Sequence, residues 1–293
     1  NIYSMKKYVD KKRIIFTTII VILIIITLGF IIYYSVDTTI RLKNAKRFEQ
    51  KLIEYESKQE ELQKQERERQ AKIPKLTDEG KQNIKGIYKS ETKRVFLTFD
   101  DGPSVNTADV LDILKSNDIK ATFFVLGTQV EKMPEMVKRA YQEGHYIANH
   151  GYSHQYSQIY SSPETVLQEF NQCNSAVAKA IDVPEYNSHL FRFPGGSVGG
   201  KYANLKAEAV TLLEQNNIMH VDWNALTGDA EKSSPDEEYL MNNLQKTTQN
   251  KNSIVILMHD AQAKRVTVEF LPKLIEFFQQ QGYQFENFYS IIK

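Results

Sequence analysis

The sequence predicts an α/β fold over residues 93–293, an incomplete or distorted (β/α) barrel of about seven units. Short apolar segments rich in Val, Ile, Leu and Phe alternate with amphipathic helical patterns, the order expected of a parallel sheet. About seven such pairs follow one another, fewer than the eight of a complete barrel. Charged residues also follow the ends of several predicted strands, where barrels of this kind collect their active-site groups.

The predicted strands are short, and each is followed by a helical pattern or a turn. In chain order the strands are 94–99, 121–126, 146–148, 190–193, 219–223, 253–258 and 283–285. The helices are 107–115, 134–142, from 163, 203–215, from 235 and 266–280, with a short helix at the C-terminus. Pro134 and Gly144 flank the second helix in the positions that Pro and Gly prefer at helix ends.

A membrane-spanning helix is predicted before this domain. Residues 14–34 are uncharged and mostly apolar, and about 20 such residues span a bilayer. The residues before them include Lys6, Lys7, Lys11, Lys12 and Arg13, whereas residues 35–37 carry no positive charge. The positive-inside rule therefore predicts a cytoplasmic tail at 1–13, a single-pass signal-anchor at 14–34 in the cell membrane, and an extracellular remainder. A cleaved signal peptide is disfavoured because the run is too long and no Ala-x-Ala-like site follows.

Residues 35–92 are predicted to form a helical stalk or linker. The stretch 37–72 is rich in Lys, Glu, Gln and Arg and ends just before Pro74, a composition that favours helix. Its apolar residues follow steps of three and four over too few heptads to establish a coiled coil. A solvated stalk is therefore favoured, and a weak homodimer through it is left open.

Composition excludes several other classes. The formal net charge is +1 over 293 residues, so no global charge points to nucleic acid as a partner. Cys173 is the only cysteine, which excludes a disulfide within the chain and a site built on several thiolates. A metal site would need His and carboxylate ligands.

Seven polar residues lie at or just past the ends of predicted strands. They are Asp100, Asp101, His150, His154, Arg192, Asp229 and His259. Polar residues with purely structural roles would have no reason to choose the same end of the sheet each time. The sequence therefore predicts one site at the C-terminal edge of the sheet.

The spacing of four of these residues predicts a catalytic metal site. Two adjacent carboxylates, Asp100 and Asp101, are costly unless something uses their charge. His150 and His154 are four residues apart and can reach a common point. One Asp with two His leaves a coordination position open, and the other Asp is then free to act as a base. Taken separately, an Asp helix cap and two surface histidines are the ordinary alternatives.

Together these motifs resemble the polysaccharide deacetylases of the NodB-homology type, carbohydrate esterase family 4. The resemblance covers residues 93–293 and depends on five stretches of sequence. These are Thr98-Phe-Asp-Asp-Gly-Pro103, the His-x-x-x-His pair, Arg192-Phe-Pro-Gly-Gly196, residues 223–229 and Leu257-Met-His259. The anchored layout is most similar to the peptidoglycan N-acetylglucosamine deacetylases of that family.

The resemblance implies a metal centre and a base. Asp101, His150 and His154 would bind one divalent metal ion, with Zn²⁺ the first candidate and Co²⁺, Ni²⁺ or Mn²⁺ as alternatives. Asp100 would take a proton from the attacking water, and Arg192 would help to keep Asp100 ionised.

The resemblance also implies the remaining roles. His259 would act as the general acid, oriented by Asp229. The backbone N–H of Gly195 would stabilise the oxyanion. Leu257 would line the acetyl pocket and Trp223 the cleft, although a core position explains either residue about as well.

Three departures from the family pattern predict an altered groove. Gly151 stands where Ser or Thr is usual, so a hydroxyl that braces the histidine loop is missing. Gly195-Gly196 replaces a bulkier pair and is expected to open that side of the groove. Ala230 and Leu226 replace a common Trp and a usually polar residue. These changes are expected to affect the fit of the substrate rather than the type of reaction.

The function implied is metal-dependent removal of acetate from N-acetylglucosamine in peptidoglycan, which would leave a wall poorly cleaved by lysozyme-like enzymes. Chitin-like chains or another exopolysaccharide are the nearest alternative substrates, with xylan esters less favoured. Two other classes are an Fe(II) oxygenase, which uses the same ligand types, and a catalytically silent glycan-binding wall protein.

Overall fold

A computed structural model describes residues 2–292. The side chains of residues 2–4, 6–10 and 12, which include Lys6, Lys7 and Lys12 of the basic flank, lie outside the described part. The chain divides into two compact units, one ending at Glu68 and one beginning at Arg69.

The first unit consists of most of one long helix, whose last turn belongs to the second unit. Helix α1 runs from Ile2 to Ala71, and its large apolar side chains between Ile14 and Val36 are exposed. By length and composition this helix is able to cross a membrane. The division of residues 1–92 into tail, span and stalk stays a prediction.

The second unit is built on a parallel sheet. Its strands are β1 Arg94–Asp100, β2 Thr122–Val125, β3 Tyr146–Asn149, β4 Leu190–Phe191, β5 Met219–His220, β6 Ala225–Leu226, β7 Ser253–His259 and β8 Gln284–Glu286. Seven strands run in the order β5-β4-β3-β2-β1-β7-β6, and β8 pairs with the first half of β1. Within the described residues no ladder joins β5 to β6, so the barrel stays open on that side. The predicted incomplete barrel is confirmed.

This unit also contains helices, of which the first precedes the strands and the others connect the strands and cover the outside of the sheet. They are α2 Asp78–Lys85, α3 Val105–Ser116, α4 Gly127–Lys132, α5 Pro134–Gln142, α6 Tyr156–Ile159, α7 Pro163–Ile181, α8 Ala203–Gln215, α9 Glu237–Thr248 and α10 Arg265–Gln280, followed by a 3₁₀ turn at Phe288–Ser290. Helices α2, α4 and α6 are additional to the helical patterns predicted for the domain.

Strand β1 shows how the sheet positions the site. Val95, Leu97 and Phe99 pack in the core beneath the covering helices, whereas Phe96 packs in a second core cluster on the other face. Because successive side chains alternate between faces, Asp100 lies on the same face as Phe96. The strand therefore carries a buried carboxylate at the C-terminal end of the barrel interior.

The opposite end of the barrel interior is filled by two flanking segments. Leu76, Ile84 and Ile87 pack in the inner cluster together with Phe288 and the residues that follow it. The sequence assigned the first three to the stalk, but their side chains are buried in the compact unit. Helix α2 is rich in charged residues and amides, as the preceding helix is, which is why composition did not separate the two.

Candidate active site

Asp101, His150 and His154 meet at the C-terminal edge of the sheet. Asp101 directly follows β1 and His150 directly follows β3. The Oδ1 atom of Asp101 lies 3.5 Å from His150 Nε2 and 3.4 Å from His154 Nε2. Asp101 and His154 both have positive φ angles, 70° and 58°, a conformation that is uncommon for non-glycine residues and that Asp and His adopt more readily than most.

The free lone pairs of this group fit a cation. His150 Nδ1 lies 2.7 Å from the carbonyl oxygen of Arg192, so Nδ1 carries the hydrogen and Nε2 offers its lone pair. Burial lowers the pKa of His150 to about 3, which keeps the imidazole neutral. Asp101 Oδ1 is buried without a hydrogen-bond partner among the described residues. A buried acceptor facing two imidazole nitrogens is a costly arrangement that a bound metal ion would relieve.

The loop between the two histidines is braced from helix α7. The buried Glu169 accepts hydrogen bonds from the backbone N–H groups of Tyr152 and Ser153 at 2.6 and 2.7 Å, and from Ser153 Oγ at 2.7 Å. Gly151 has φ +91°, and a Cβ there would lie 3.1 Å from Ile159. The brace expected to be missing is therefore supplied by Glu169 and Ser153, which the sequence reasoning did not identify.

Asp100 lies beside the three candidate metal ligands. Its Oδ1 accepts a hydrogen bond from Arg192 Nη1 at 2.9 Å, and its Oδ2 lies 3.8 Å from His150 Nε2. Burial raises the pKa of Asp100, and the positive charges of Arg192 and His259 lower it only partly. Arg192 acts in the direction that the resemblance implies, because its charge and its hydrogen bond lower the pKa of this carboxyl, although burial has the larger effect.

Arg192 is fully buried behind the site. Its guanidinium donates to Thr98 Oγ1 at 2.7 Å and to the carbonyls of Val221 and Asp222 at 3.2 and 3.0 Å. It also lies 3.9 Å above the ring of Phe124. An arginine with its donors occupied in this way holds the Asp100 carboxylate at a defined position, and a surface ion pair is excluded.

His259 and Asp229 face this group from the ends of β7 and the β6–α9 connection. Asp229 Oδ1 lies 3.0 Å from His259 Nδ1, and its Oδ2 accepts from the His259 backbone N–H and from Thr267 Oγ1 at 2.8 and 2.7 Å. Burial lowers the pKa of His259, but the hydrogen bond and charge of Asp229 outweigh it and raise the pKa to about 9. His259 is therefore protonated at neutral pH, with Nε2–H left for another partner.

A cavity of about 360 Å³ unites these groups. Every residue predicted for the site lines it except Arg192, which lies behind Asp100. The predicted lining residues are Asp100, Asp101, His150, His154, Gly195, Trp223, Asp229, Leu257 and His259. Tyr156 and Glu231 also line it and were not predicted.

Asp260 is a further residue whose place the sequence reasoning missed. It directly follows His259 and is fully buried. Its backbone N–H donates to the Asp100 carbonyl at 3.2 Å, and its side chain accepts from Thr107 Oγ1 at 2.5 Å. Asp260 thus ties the end of β7 to the turn that carries the two active-site carboxylates. Its position directly after His259 was the only signal in the sequence.

Comparisons with known proteins agree with this geometry. The family model described as polysaccharide deacetylase matches residues 88–212. The chain is 36% identical to YheN of Bacillus subtilis over 198 residues, 66% of each chain. It is 33% identical to a peptidoglycan-N-acetylglucosamine deacetylase of Bacillus cereus over 205 residues, 68% of this chain and 71% of that one.

A solved structure is similar over the same region. A Streptococcus mutans CE4 esterase superposes with a TM-score of 0.64 at 30% identity, covering 70% of this chain and 90% of that chain. The alignments with the two Bacillus relatives span about two thirds of their length. The stretch matched by the family model includes Asp101, His150 and His154, and the chain therefore belongs to the polysaccharide deacetylase family, carbohydrate esterase family 4.

Proposed function

We propose that this protein is a membrane-anchored, metal-dependent deacetylase that hydrolyses the acetamido group of N-acetylglucosamine in peptidoglycan and releases acetate. One observation carries the proposal. The unpartnered Asp101 Oδ1 faces His150 Nε2 and His154 Nε2 at 3.5 and 3.4 Å, with the second carboxylate, Asp100, directly beside them.

Asp101, His150 and His154 would hold the divalent metal, with Zn²⁺ the first candidate and Co²⁺, Ni²⁺ or Mn²⁺ as alternatives. Such an ion polarises a carbonyl oxygen and lowers the pKa of bound water when it is present. The chain prepares this site by keeping His150 neutral and fixing its tautomer through the Arg192 carbonyl. The Glu169 brace holds the loop that carries both histidines.

Asp100 would act as the general base that accepts the proton of the attacking water. Its Oδ1 is held by Arg192, which leaves Oδ2 on the His150 side free to receive the proton. A buried carboxyl with a raised pKa is a better proton acceptor than an exposed one.

His259 would act as the general acid that protonates the departing amine. Asp229 holds Nδ1, so Nε2–H is the proton available to the leaving group. The raised pKa keeps that proton on the ring at neutral pH. Burial raises the pKa of the base, whereas a hydrogen-bonded carboxylate raises the pKa of the acid, so different neighbours set the two groups within one cavity.

The remaining predicted residues would bind the acyl group. The Gly195 N–H makes no hydrogen bond to any described residue, which leaves it available to a developing oxyanion. Leu257 and Trp223 line the same cavity and supply apolar surface for the acetyl methyl group and the sugar face.

Substrate and location are inferred from the relatives and the N-terminal helix. The Bacillus cereus relative is named for peptidoglycan N-acetylglucosamine. Residues 14–34 would anchor the chain in the membrane with the deacetylase domain outside, next to the cell wall. Glycan chains would then be the partner of the extracellular domain, and a dimer through the stalk stays open.

Acetate release from purified peptidoglycan sacculi by the full-length chain in detergent tests the proposal. Mass spectrometry of the muropeptides should show the loss of one acetyl group and identify the sugar that lost it. Asp100→Asn should retain the metal and lose turnover, whereas His150→Ala should lose both. Asp118→Asn, a change at an exposed carboxylate outside the cavity, is the matched control. Undiminished acetate release by Asp100→Asn would refute the assignment of the base.

A further inference from the structure

The side of the cavity at Gly195 is closed by Tyr156, the first residue of helix α6. The sequence led us to expect an open groove there, because glycine replaces a larger residue. A Cβ built on Gly195 would lie 2.6 Å from the hydroxyl oxygen of Tyr156 and 3.3 Å from its Cζ. The phenol of Tyr156 therefore occupies the space where a side chain at position 195 would begin.

Tyr156 is positioned by aromatic neighbours that belong to the site. Its ring packs against that of His154, with the centroids 5.5 Å apart, and against that of Tyr160 at 5.6 Å. Tyr160 is buried, and its hydroxyl donates to the carbonyl of Pro194 at 2.7 Å. The same packing thus fixes the phenol of Tyr156 and the backbone that leads into Gly195.

Tyr156 and Gly195 present two unused donors to one cavity. Among residues 2–292, neither the Tyr156 hydroxyl nor the Gly195 N–H has a hydrogen-bond partner. Both residues line the cavity that contains the three metal-ligand candidates. Covalent geometry places the Gly195 nitrogen within about 5 Å of the Tyr156 oxygen, close enough for one acceptor atom between them.

We propose that Tyr156 is a catalytic residue whose hydroxyl donates a second protein hydrogen bond, beside that of the Gly195 N–H, to the oxygen of the scissile acetamido group. This inference rests on the proposed deacetylase function. The carbonyl oxygen gains negative charge when water adds to the carbon, so both donors bind it more strongly in the transition state than in the substrate. No proton leaves the phenol, because Asp100 and His259 carry the proton transfers.

Tyr156→Phe removes the hydroxyl and keeps the ring against His154. Loss of one oxyanion donor commonly costs about 10²–10³ in kcat. Because the hydroxyl is one of several groups on this oxygen and its side chain is partly exposed, we expect a loss of about 10- to 100-fold in kcat with little change in KM. The affinity for a tetrahedral phosphonamidate analogue of the acetamide should fall in parallel. Bound metal, measured by competition with a chromophoric chelator, should not change.

Tyr289→Phe is the matched control. The Tyr289 hydroxyl donates to the carbonyl of Lys72 at 2.7 Å, and the residue does not line the catalytic cavity. This variant should keep the parent kcat and KM within about twofold.

Gly195→Ala tests the same contact from the other side. The added methyl group would displace the Tyr156 oxygen, and an alanine at φ +74° would also shift the Gly195 N–H, so kcat should fall in the parent. Only the part of this loss that passes through the hydroxyl should be absent in a Tyr156→Phe background. A kcat of Tyr156→Phe within about twofold of the parent would overturn the proposal. A rise in KM with unchanged kcat would also overturn it, because the hydroxyl would then bind a sugar group rather than the oxyanion. Either result with an active parent leaves the deacetylase function standing. A parent that releases no acetate from any N-acetylated glycan would overturn both.

Discussion

The two halves of the candidate active site differ in how many of their polar atoms have a hydrogen-bond partner within the chain. On one side, Asp101 Oδ1 is buried without a partner and faces two imidazole nitrogens at 3.4–3.5 Å. On the other side, both oxygens of Asp229 accept hydrogen bonds, and His259 is held through its ring and its backbone. The first half is built for an ion that the chain does not supply, whereas the second half is complete by itself.

The same contrast separates two histidines of one cavity. Burial lowers the pKa of His150 to about 3, although the charge of Asp101, whose Oδ1 lies 3.5 Å from Nε2, acts to raise it. His259 is also buried, yet the Asp229 carboxylate raises its pKa to about 9. The carboxylate of Asp229, which is hydrogen-bonded to the ring of His259, outweighs burial, whereas the Asp101 carboxylate near His150 does not.

Replacing one histidine in each half tests whether the two halves act separately, and these variants should show the largest effects. His150→Ala should lose bound metal and reduce acetate release to the level of the metal-free protein, more than about 10³-fold. His259→Ala should keep the metal and lose about 10²–10⁴ in kcat, because only the proton donor is gone. Metal content and kcat are measured on the same samples.

Each outcome has a clear opposite. Loss of metal from His259→Ala would show that the two halves are not separate. Full metal occupancy in His150→Ala would remove His150 from the ligand set. Substitution of His189, a partly buried histidine outside the cavity, is the control for general effects of losing an imidazole.

Asp229→Asn tests the cause of the high pKa of His259. Without the carboxylate charge, burial becomes the dominant influence and the pKa of His259 should fall below its ordinary value near 6.5. In the parent the raised pKa keeps His259 protonated up to about pH 9, so kcat should fall only above that pH. In the variant this alkaline limb of the pH profile should move below neutrality.

The expected loss in kcat at pH 7–8 is about 10- to 100-fold and should shrink as the pH is lowered. A pH profile with an unshifted alkaline limb would show that another group sets it. Thr267→Val removes one neutral hydrogen bond to Asp229 and leaves its charge, so it should move the limb much less.

The sequence predicted the residues of the metal half better than the residues that hold them in place. Asp100, Asp101, His150 and His154 lie in two short motifs, and their chemistry follows from spacing within a few residues. Asp229 and His259 are far apart in the chain, but each follows a strand. The parallel-sheet prediction was therefore sufficient to bring them to the same edge.

Residues that act from a packed helix or a neighbouring loop could not be predicted. Glu169 looked like an ordinary helix carboxylate, and only the packing of α7 against the histidine loop turns it inward. The groove at Gly195 was predicted to be open because glycine has no side chain. The space is filled by Tyr156, which is distant in the sequence and begins helix α6. Local sequence records which side chain is missing and does not record which distant one replaces it.

The smallest effect is expected from Glu169→Gln, which loosens the metal half without removing a ligand. Glu169 receives three hydrogen bonds, two from backbone N–H groups and one from Ser153 Oγ. A glutamine offers one acceptor oxygen and no charge, so the loop that carries His154 should be held less firmly. Residues that orient metal ligands indirectly typically contribute about 10-fold or more to metal affinity, and we expect the low end of that range.

Isothermal titration of the metal-stripped protein with Zn²⁺ measures this change, and kcat at saturating metal should stay close to that of the parent. Glu164→Gln is the matched control, because Glu164 lies on the same helix with an exposed side chain. Ser153→Ala removes only the hydroxyl bond and should give a smaller loss of affinity than Glu169→Gln. Equal metal affinity in Glu169→Gln and the parent would show that the ligand positions do not depend on α7. The incomplete half of the site would then owe its geometry to the strand ends alone.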